Sequence, residues 1–325
     1  MSDRTNLIIR GPAVVTHGTT KLYSQGDVTV NIAPETFTVA SAIGNHTEER
    51  QKDRIATISF TPVGEFESAI LAALYPYTAT VMGGKLFPAT AVPLAIQSVD
   101  GKLYTFVCTA VTKMPDLICS PTKTMFGPVT FTALGLITTI GTAESWATAN
   151  SFLDITSNAW VAATHAADLT WANVTVSPWS AEYGAVGVGA GNFAAMMTED
   201  GWTCSFDMGT TPDECDRHGI INYQLTSMRA TAKAMLIGPT DIELLAKLRL
   251  SGAGAVRGQS ERSIANSFIL KLTNADLTGG SLKIYNAVLK SFNPAFSFSK
   301  SRNDVEFSST MNMTSGAHDK AFEFV

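Results

Sequence analysis

Charge is scarce in this chain. Only 16% of its 325 residues are Asp, Glu, Lys or Arg, against about a quarter in ordinary soluble domains. Basic residues are in deficit, 23 against 28 acidic ones, for a net charge of −5. A protein that grips nucleic acid through its phosphates needs the opposite balance. Cysteine is sparse too: Cys108, Cys119, Cys204 and Cys215 form no disulfide framework, and their spacing fits neither a metal nor a redox motif. Long greasy runs are missing. Leu7–Ile9 is interrupted at Arg10-Gly11-Pro12, too short for an export signal, and Ala69–Leu74 and Val129–Ile140 are broken by Pro76 or laced with Thr. Neither approaches the roughly 18 residues of a membrane span.

Hydrophobic content is ordinary at 45%, so a core is available, and 39 Thr lead the neutral polar residues. That much apolar matter excludes a disordered chain. At about 100–200 residues per domain, the length predicts two domains.

The dominant period is two. Asp27–Ala33, Ile55–Thr61, Lys102–Val111, Val129–Leu134, Phe268–Thr273 and Leu282–Leu289 alternate apolar and polar residues, with Val, Ile, Phe and Thr prominent. These read as half-buried strands. Gly83-Gly84, Asp100-Gly101 and Gly279-Gly280 punctuate them, and Asp100-Gly101 signals a hairpin. Helical spacing is confined to Glu65–Leu74, with Phe66, Ile70 and Leu74 on one face and Pro76 as a stop, and to Asp241–Leu250 behind the N-cap Thr240.

This order occurs twice. A shift of 174 places Gly64, Ile70, Leu71, Ala72 and Leu74 on Gly238, Leu244, Leu245, Ala246 and Leu248. A shift of 179 matches Gly101-Lys102-Leu103 to Gly280-Ser281-Leu282 and Pro115 to Pro294, while Ile55–Thr61 matches Ile220–Thr226 at about 165. The expectation is a duplication: one module over 1–142, a linker or inserted element over 143–169, and a second module over 170–325. Residues 1–150 carry 10 basic and 11 acidic groups (net −1), and 151–325 carry 13 and 17 (net −4).

Catalytic chemistry is hard to find. Asp213-Glu214-Cys215-Asp216-Arg217-His218 offers metal-ligand types, but neighbours in an extended segment point apart and no second ligand pair stands at a useful spacing. Gly184–Gly191 lacks the Lys-Ser/Thr ending of a phosphate loop. The five His pair with no nucleophile motif. Phe292, Phe296 and Phe298 beside Lys300 and Arg302 read as strand core rather than a base-stacking platform. The expectation is no enzyme, no cofactor and no metal.

Four features carry a resemblance of architecture and order: the stretch from Gly11-Pro12 to Val28-Thr29-Val30, the charged loop His46–Arg54, the helix Glu65–Leu74 after a strand, and the closing hairpin and strand from Gly101 to Leu134. In these the chain resembles the tail tube (major tail) proteins of bacteriophages with long, non-contractile tails. The resemblance implies a mainly β chain of two tandem tail-tube-like β-sandwich or barrel modules, each with one short α-helix. It implies stacked rings that conduct DNA during ejection, with the duplicated subunit closing as a homotrimer of pseudo-six-fold symmetry. The implied partners are further copies of the chain, a tape-measure protein, and tail terminator and tip proteins. DNA would pass without specific binding, no membrane would be involved, and the protein would be assembled in the host cytoplasm into the virion tail.

In that family a long loop between early strands bridges to the next ring. The candidates here are Ala42–Arg54 and Gly209–His218. The contact residues implied are Asn45, His46, Glu48, Glu49, Arg50, Lys52, Asp53, Arg54, Asp213, Glu214, Asp216 and Arg217. Asp and Glu are the expected lining of the bore, because a wall that DNA slides through should not hold phosphates. Two rival readings stand beside this one. One is another β-rich virion component, a decoration protein or a baseplate or injection-tube subunit. The other is a carbohydrate- or ligand-binding β-sandwich, with or without hydrolase activity, displaying Trp160, Trp171, Trp179 and Trp202 around a pocket.

Overall fold

The alternating runs become strands of four antiparallel sheets. The structure is a computed structural model, and it describes residues 6–11, 13–40, 47–63, 68–77, 83–88, 92–120, 126–135, 152–161, 179–185, 193–215, 219–237, 268–274, 281–296, 301–309 and 320–325. In the first half, β1 (Asn6–Ile9), β4 (Val28–Ala40), β5 (Thr47–Phe60), β11 (Val129–Leu134) and β9 (Cys108–Lys113) lie side by side in that order. This sheet carries a long hairpin and is termed the first arm sheet. Against it packs a cover sheet of β12 (Leu153–Ser157), β8 (Lys102–Phe106), β7 (Leu94–Ser98), β2 (Ala13–His17), β3 (Thr20–Ser24) and β6 (Pro62–Val63). His17 of the cover sheet meets Phe131 of the arm sheet with ring centroids 5.0 Å apart.

The second arm sheet runs β10 (Leu117–Cys119), β15 (Thr198–Cys215), β16 (Gly219–Ile237), β20 (Ser301–Ser308) and β19 (Val288–Phe296). Its cover sheet runs β14 (Phe193–Met196), β13 (Trp179–Ala185), β17 (Phe268–Asn274), β18 (Ser281–Tyr285) and β21 (Phe322–Phe324). Phe206 of the arm sheet and Phe322 of the cover sheet lie 4.3 Å apart between centroids. The strand order repeats. Among the described residues, every pairing of the first half except β3 with β6 has an antiparallel counterpart in the second.

The repeat extends to a shared break. The runs Lys102–Val111 and Leu282–Leu289, read from sequence as single strands, each split in two. At Val107 and at Asn286-Ala287 the chain leaves the cover sheet and enters the arm sheet. Asn286 manages this with a left-handed φ of 50°, a conformation Asn tolerates better than most residues. Alternation survives on either side of each crossing, which is why periodicity alone does not reveal it. Gly101, at φ 77°, turns β7 into β8 as the Asp100-Gly101 signal requires.

Other readings shift. The helix α1 spans Ser68–Leu74, with Ile70, Leu71, Ala73 and Leu74 buried; its expected start, and the whole of Asp241–Leu250, lie outside the described residues. Segment 143–169, given above as a linker or inserted element, supplies β12, which extends the first cover sheet by pairing with β8. The match of Ile55–Thr61 to Ile220–Thr226 links the right strands at the wrong height. Ala56–Phe60 faces β11, whereas the stretch of β16 facing the equivalent β20 is Thr231–Ile237. Among the described residues no helix is long and apolar enough to cross a membrane.

The first core is dense in aromatics: Phe131 is fully buried, with Phe60 stacked at 5.9 Å and His17 tilted against it. Phe131→Ala is expected to lower stability by about 3–5 kcal/mol, read as a shift of the urea unfolding midpoint. His17 adds a pH dependence. Burial pushes its pKa below the usual value, and its Nε2 finds no partner among the described residues. Above about pH 6.5 the imidazole is neutral in both states. Below that the unfolded chain binds the proton first, so stability falls with pH until the folded group titrates. Urea midpoints at about pH 5 should lie below those at about pH 7.5, and His17→Phe should shrink the difference.

Candidate functional site

Three surfaces follow from this topology: a seam between the halves, a pair of long arms, and the exposed face of the arm sheets. The seam is made by β10. It leaves the first half between β9 and β11 but pairs with β15 of the second, placing Leu117, Ile118 and Cys119 opposite Cys204, Thr203 and Trp202. Beside β15 it takes the position that β1 takes beside β4. Gly201, at φ 83°, permits this approach, since a Cβ there would overlap the Cys119 carbonyl oxygen.

Tyr75, the residue after α1, closes the seam from within. It is fully buried, and its hydroxyl donates to the Pro115 carbonyl at 3.0 Å. Its ring lies 5.1 Å from Phe206 and 5.0 Å from Phe324 of the second half. Tyr77 donates to the Val111 carbonyl at 2.6 Å. Both hydroxyls hold backbone carbonyls where the chain passes from β9 to β10. Burial raises the Cys119 thiol, which also meets Cys204, and pushes Cys108 up to about 11. Such thiols are poor nucleophiles at neutral pH, as befits packing residues.

The arms correct the expected contact loops. Glu48, Glu49, Arg50, Lys52, Asp53 and Arg54 lie on β5, within a hairpin that continues the arm sheet, and not in a loop. Glu48, Glu49 and Arg50 stand opposite Val39, Thr38 and Phe37; Lys52 falls at a bulge; Asp53 and Arg54 stand opposite Glu35 and Pro34. Asp213 and Glu214 likewise sit on β15, opposite Asn222 and Ile220. Asn45, His46, Asp216 and Arg217 lie outside the described residues. A run of charged residues shows no apolar alternation, so period two is missing from the sequence even where the backbone pairs as a strand.

Sequence reasoning missed one contact altogether. The segment Gly83–Phe87 runs antiparallel along β16: Gly83 N–H donates to Leu225 O at 2.7 Å, Leu225 N–H to Gly84 O at 2.9 Å, and Leu86 N–H to Tyr223 O at 2.9 Å. The buried Asn222 side chain then grips the Phe87 backbone. Its Oδ1 accepts the Phe87 N–H and its Nδ2 donates to the Phe87 carbonyl, each at 3.1 Å. Gly83-Gly84 was legible only as a turn. The available signal was Asn222 itself, an amide within the apolar stretch Ile220–Leu225.

The exposed face of the arm sheets is neutral or balanced. In the first it presents Thr29, Asn31, Thr57, Ser59 and Thr130, with Ser59 and Thr130 hydroxyls 3.0 Å apart. In the second, Lys233 pairs with Glu306 at 3.2 Å, and Asp207 stands opposite Arg229. Carboxylates do not dominate either face. Trp202, a candidate sugar platform, is buried against Phe307 at 6.0 Å and unavailable to a ligand. The chain matches no family model and no curated protein sequence.

Three substitutions probe the seam and its second tie, each read by urea unfolding. Tyr75→Phe should cost about 1–3 kcal/mol by leaving the buried Pro115 carbonyl without its donor. Gly201→Ala should cost at least about 1–3 kcal/mol from backbone strain. Asn222→Ala should cost about 1–3 kcal/mol and raise amide exchange selectively over Gly83–Phe87.

Proposed function

We propose that this chain is a structural subunit that closes into rings and stacks into a tube, the tail tube of a long-tailed bacteriophage, through which DNA passes. The observation that carries the reading is the repeated strand order with β10 at the join. The chain already contains one junction between equivalent arm sheets, with β9 lying alongside β15 and β10 capping it. Its outer ends are the matching halves of a second junction: β19 at one edge, equivalent to β9, and β1 at the other, equivalent to β10.

Applying the same junction between chains joins β19 of one copy to β1 of the next. Contacts of this head-to-tail kind close into rings when the rotation returns to its start. Three two-module chains then give six near-equivalent sheets, a homotrimer with pseudo-six-fold symmetry. Closure also removes two exposed sheet edges. The neutral hydroxyl and paired-charge faces of the arm sheets would line the bore and give DNA phosphates little to bind. In this reading hydroxyls, rather than the Asp and Glu expected from the resemblance, make the lining of the first module. The arms project toward neighbouring rings, and tape-measure, terminator and tip proteins are the further partners. No catalytic role and no cofactor are assigned, and the place of action is the virion tail.

The test is negative-stain electron microscopy of the purified chain over a concentration series. Rings or hollow filaments of uniform bore are expected. Removing residues 1–9 deletes β1 and should yield folded monomers with unchanged β-sheet circular dichroism. Monomers at every concentration for the intact chain, or rings from the truncated one, would count against the reading.

A further inference from the structure

β12 lies beside β8 in the first cover sheet and β21 beside β18 in the second, so the two strands hold the same place. Opposite the buried Tyr104 and Phe106 stand Ile155 and Leu153. Opposite the buried Leu282 and Ile284 stand Phe324 and Phe322. Ile155 is therefore the counterpart of Phe324, and Leu153 that of Phe322. Phe324 is partly buried, and Tyr75 of the first half packs on it with ring centroids 5.0 Å apart. Leu153 packs against the core, yet Ile155, two residues along on the same face of the strand, is 52% exposed.

We propose that Ile155 anchors a second contact between ring neighbours, in the cover layer, where the second half of the adjacent copy buries it. The inference rests on the ring reading above and extends the junction outward from the arm sheets. Its support is the seam inside the chain, where the first half covers Phe324 with Tyr75. Tyr75 belongs to the flank of β9, since Tyr77, two residues on, donates to the Val111 carbonyl of that strand. β19 is the equivalent of β9, so the surface that meets Ile155 is the flank of β19 in the next copy. The arm layer shows the same contrast. On β1, Ile8 stands opposite Thr29 and is 60% exposed, whereas Ile118 of β10, opposite Thr203, is partly covered within its own chain.

Single apolar residues are common on protein surfaces, so exposure by itself marks no contact. Met197, at 73%, is more exposed than Ile155. It leads from β14 into β15 as Gln25–Asp27 leads from β3 into β4, and both turns are exposed. The seam covers neither of them, which places Met197 outside the junction. Ile155 differs because its counterpart is covered across the seam.

The test compares ring formation by the intact chain, Ile155→Asp and Met197→Asp over a concentration series. With β-sheet circular dichroism unchanged, Ile155→Asp is expected to need at least about tenfold more protein to form rings, the effect of losing one large apolar anchor. Met197→Asp should match the intact chain. Rings from Ile155→Asp at the concentration of the intact chain overturn this inference and leave the ring reading standing, as does equal impairment by Met197→Asp. An intact chain that stays monomeric at every concentration overturns both. Where Ile155→Asp fails to fold, alkylation of Ile155→Cys decides, read on its own peptide by mass spectrometry. That thiol should react at least about tenfold more slowly in rings than in the dilute chain. An unchanged rate, or slow reaction already in the dilute chain, overturns the role of a second copy.

Discussion

The fold depends on a strand that belongs to one half by sequence and to the other by hydrogen bonding. β10 completes the second arm sheet from the connection between β9 and β11, so neither half can satisfy its own backbone alone. Its placement requires a residue without a side chain at Gly201 and a donor for the Pro115 carbonyl, which Tyr75 supplies. The aromatic ring of Tyr75 then packs into the second half beside Phe206, Phe322 and Phe324. Buried apolar side chains from both halves consequently form one continuous core. The halves repeat one another in strand order yet are not independent bodies joined by a tether.

In the proposed ring the seam gives the repeat its physical use. Two equivalent sheets side by side define a relation between neighbours that further copies can adopt, and the chain presents the two unlike edges this needs. The same economy governs the exposed faces. Alternation sends Val30, Ile58 and Phe131 inward, while their neighbours Thr29, Ser59 and Thr130 face solvent. Thr suits that face because its branched side chain fits a pleated surface and its hydroxyl bonds across strands without adding charge. A chain with so few ionisable groups can therefore expose broad sheet surfaces and remain polar.

Much of this was legible. Ile55–Thr61 and Val129–Leu134 alternate because one face of each is buried, and the structure pairs them as β5 and β11. The match of Leu103 to Leu282 finds the equivalent strands β8 and β18 but misses their register by one residue, since the buried Tyr104 and Phe106 correspond to the buried Leu282 and Ile284. Of the candidate contact residues, Glu48–Arg54 and Asp213-Glu214 were read as loop where the backbone is strand. Over Glu48–Arg54 the residues are all charged or polar, so period two is absent from the sequence of that part of β5. Val107 and Asn286 were missed as crossings because a strand changing sheets keeps its alternation on both sides.

The composition and periodicity by themselves determined a mainly β chain, the short helix α1 and a surface rich in neutral hydroxyls; the second helix expected over Asp241–Leu250 lies outside the described residues. Those properties are local: each depends on which face a side chain turns to its own strand's neighbours. The tertiary structure alone decided that β10 serves the other half, that Gly83–Phe87 lies along β16, and that β12 belongs to the first cover sheet. All three are backbone pairings between segments distant in sequence. A backbone N–H and C=O are the same in every residue but proline, so nothing in the side-chain pattern says which distant strand will receive them.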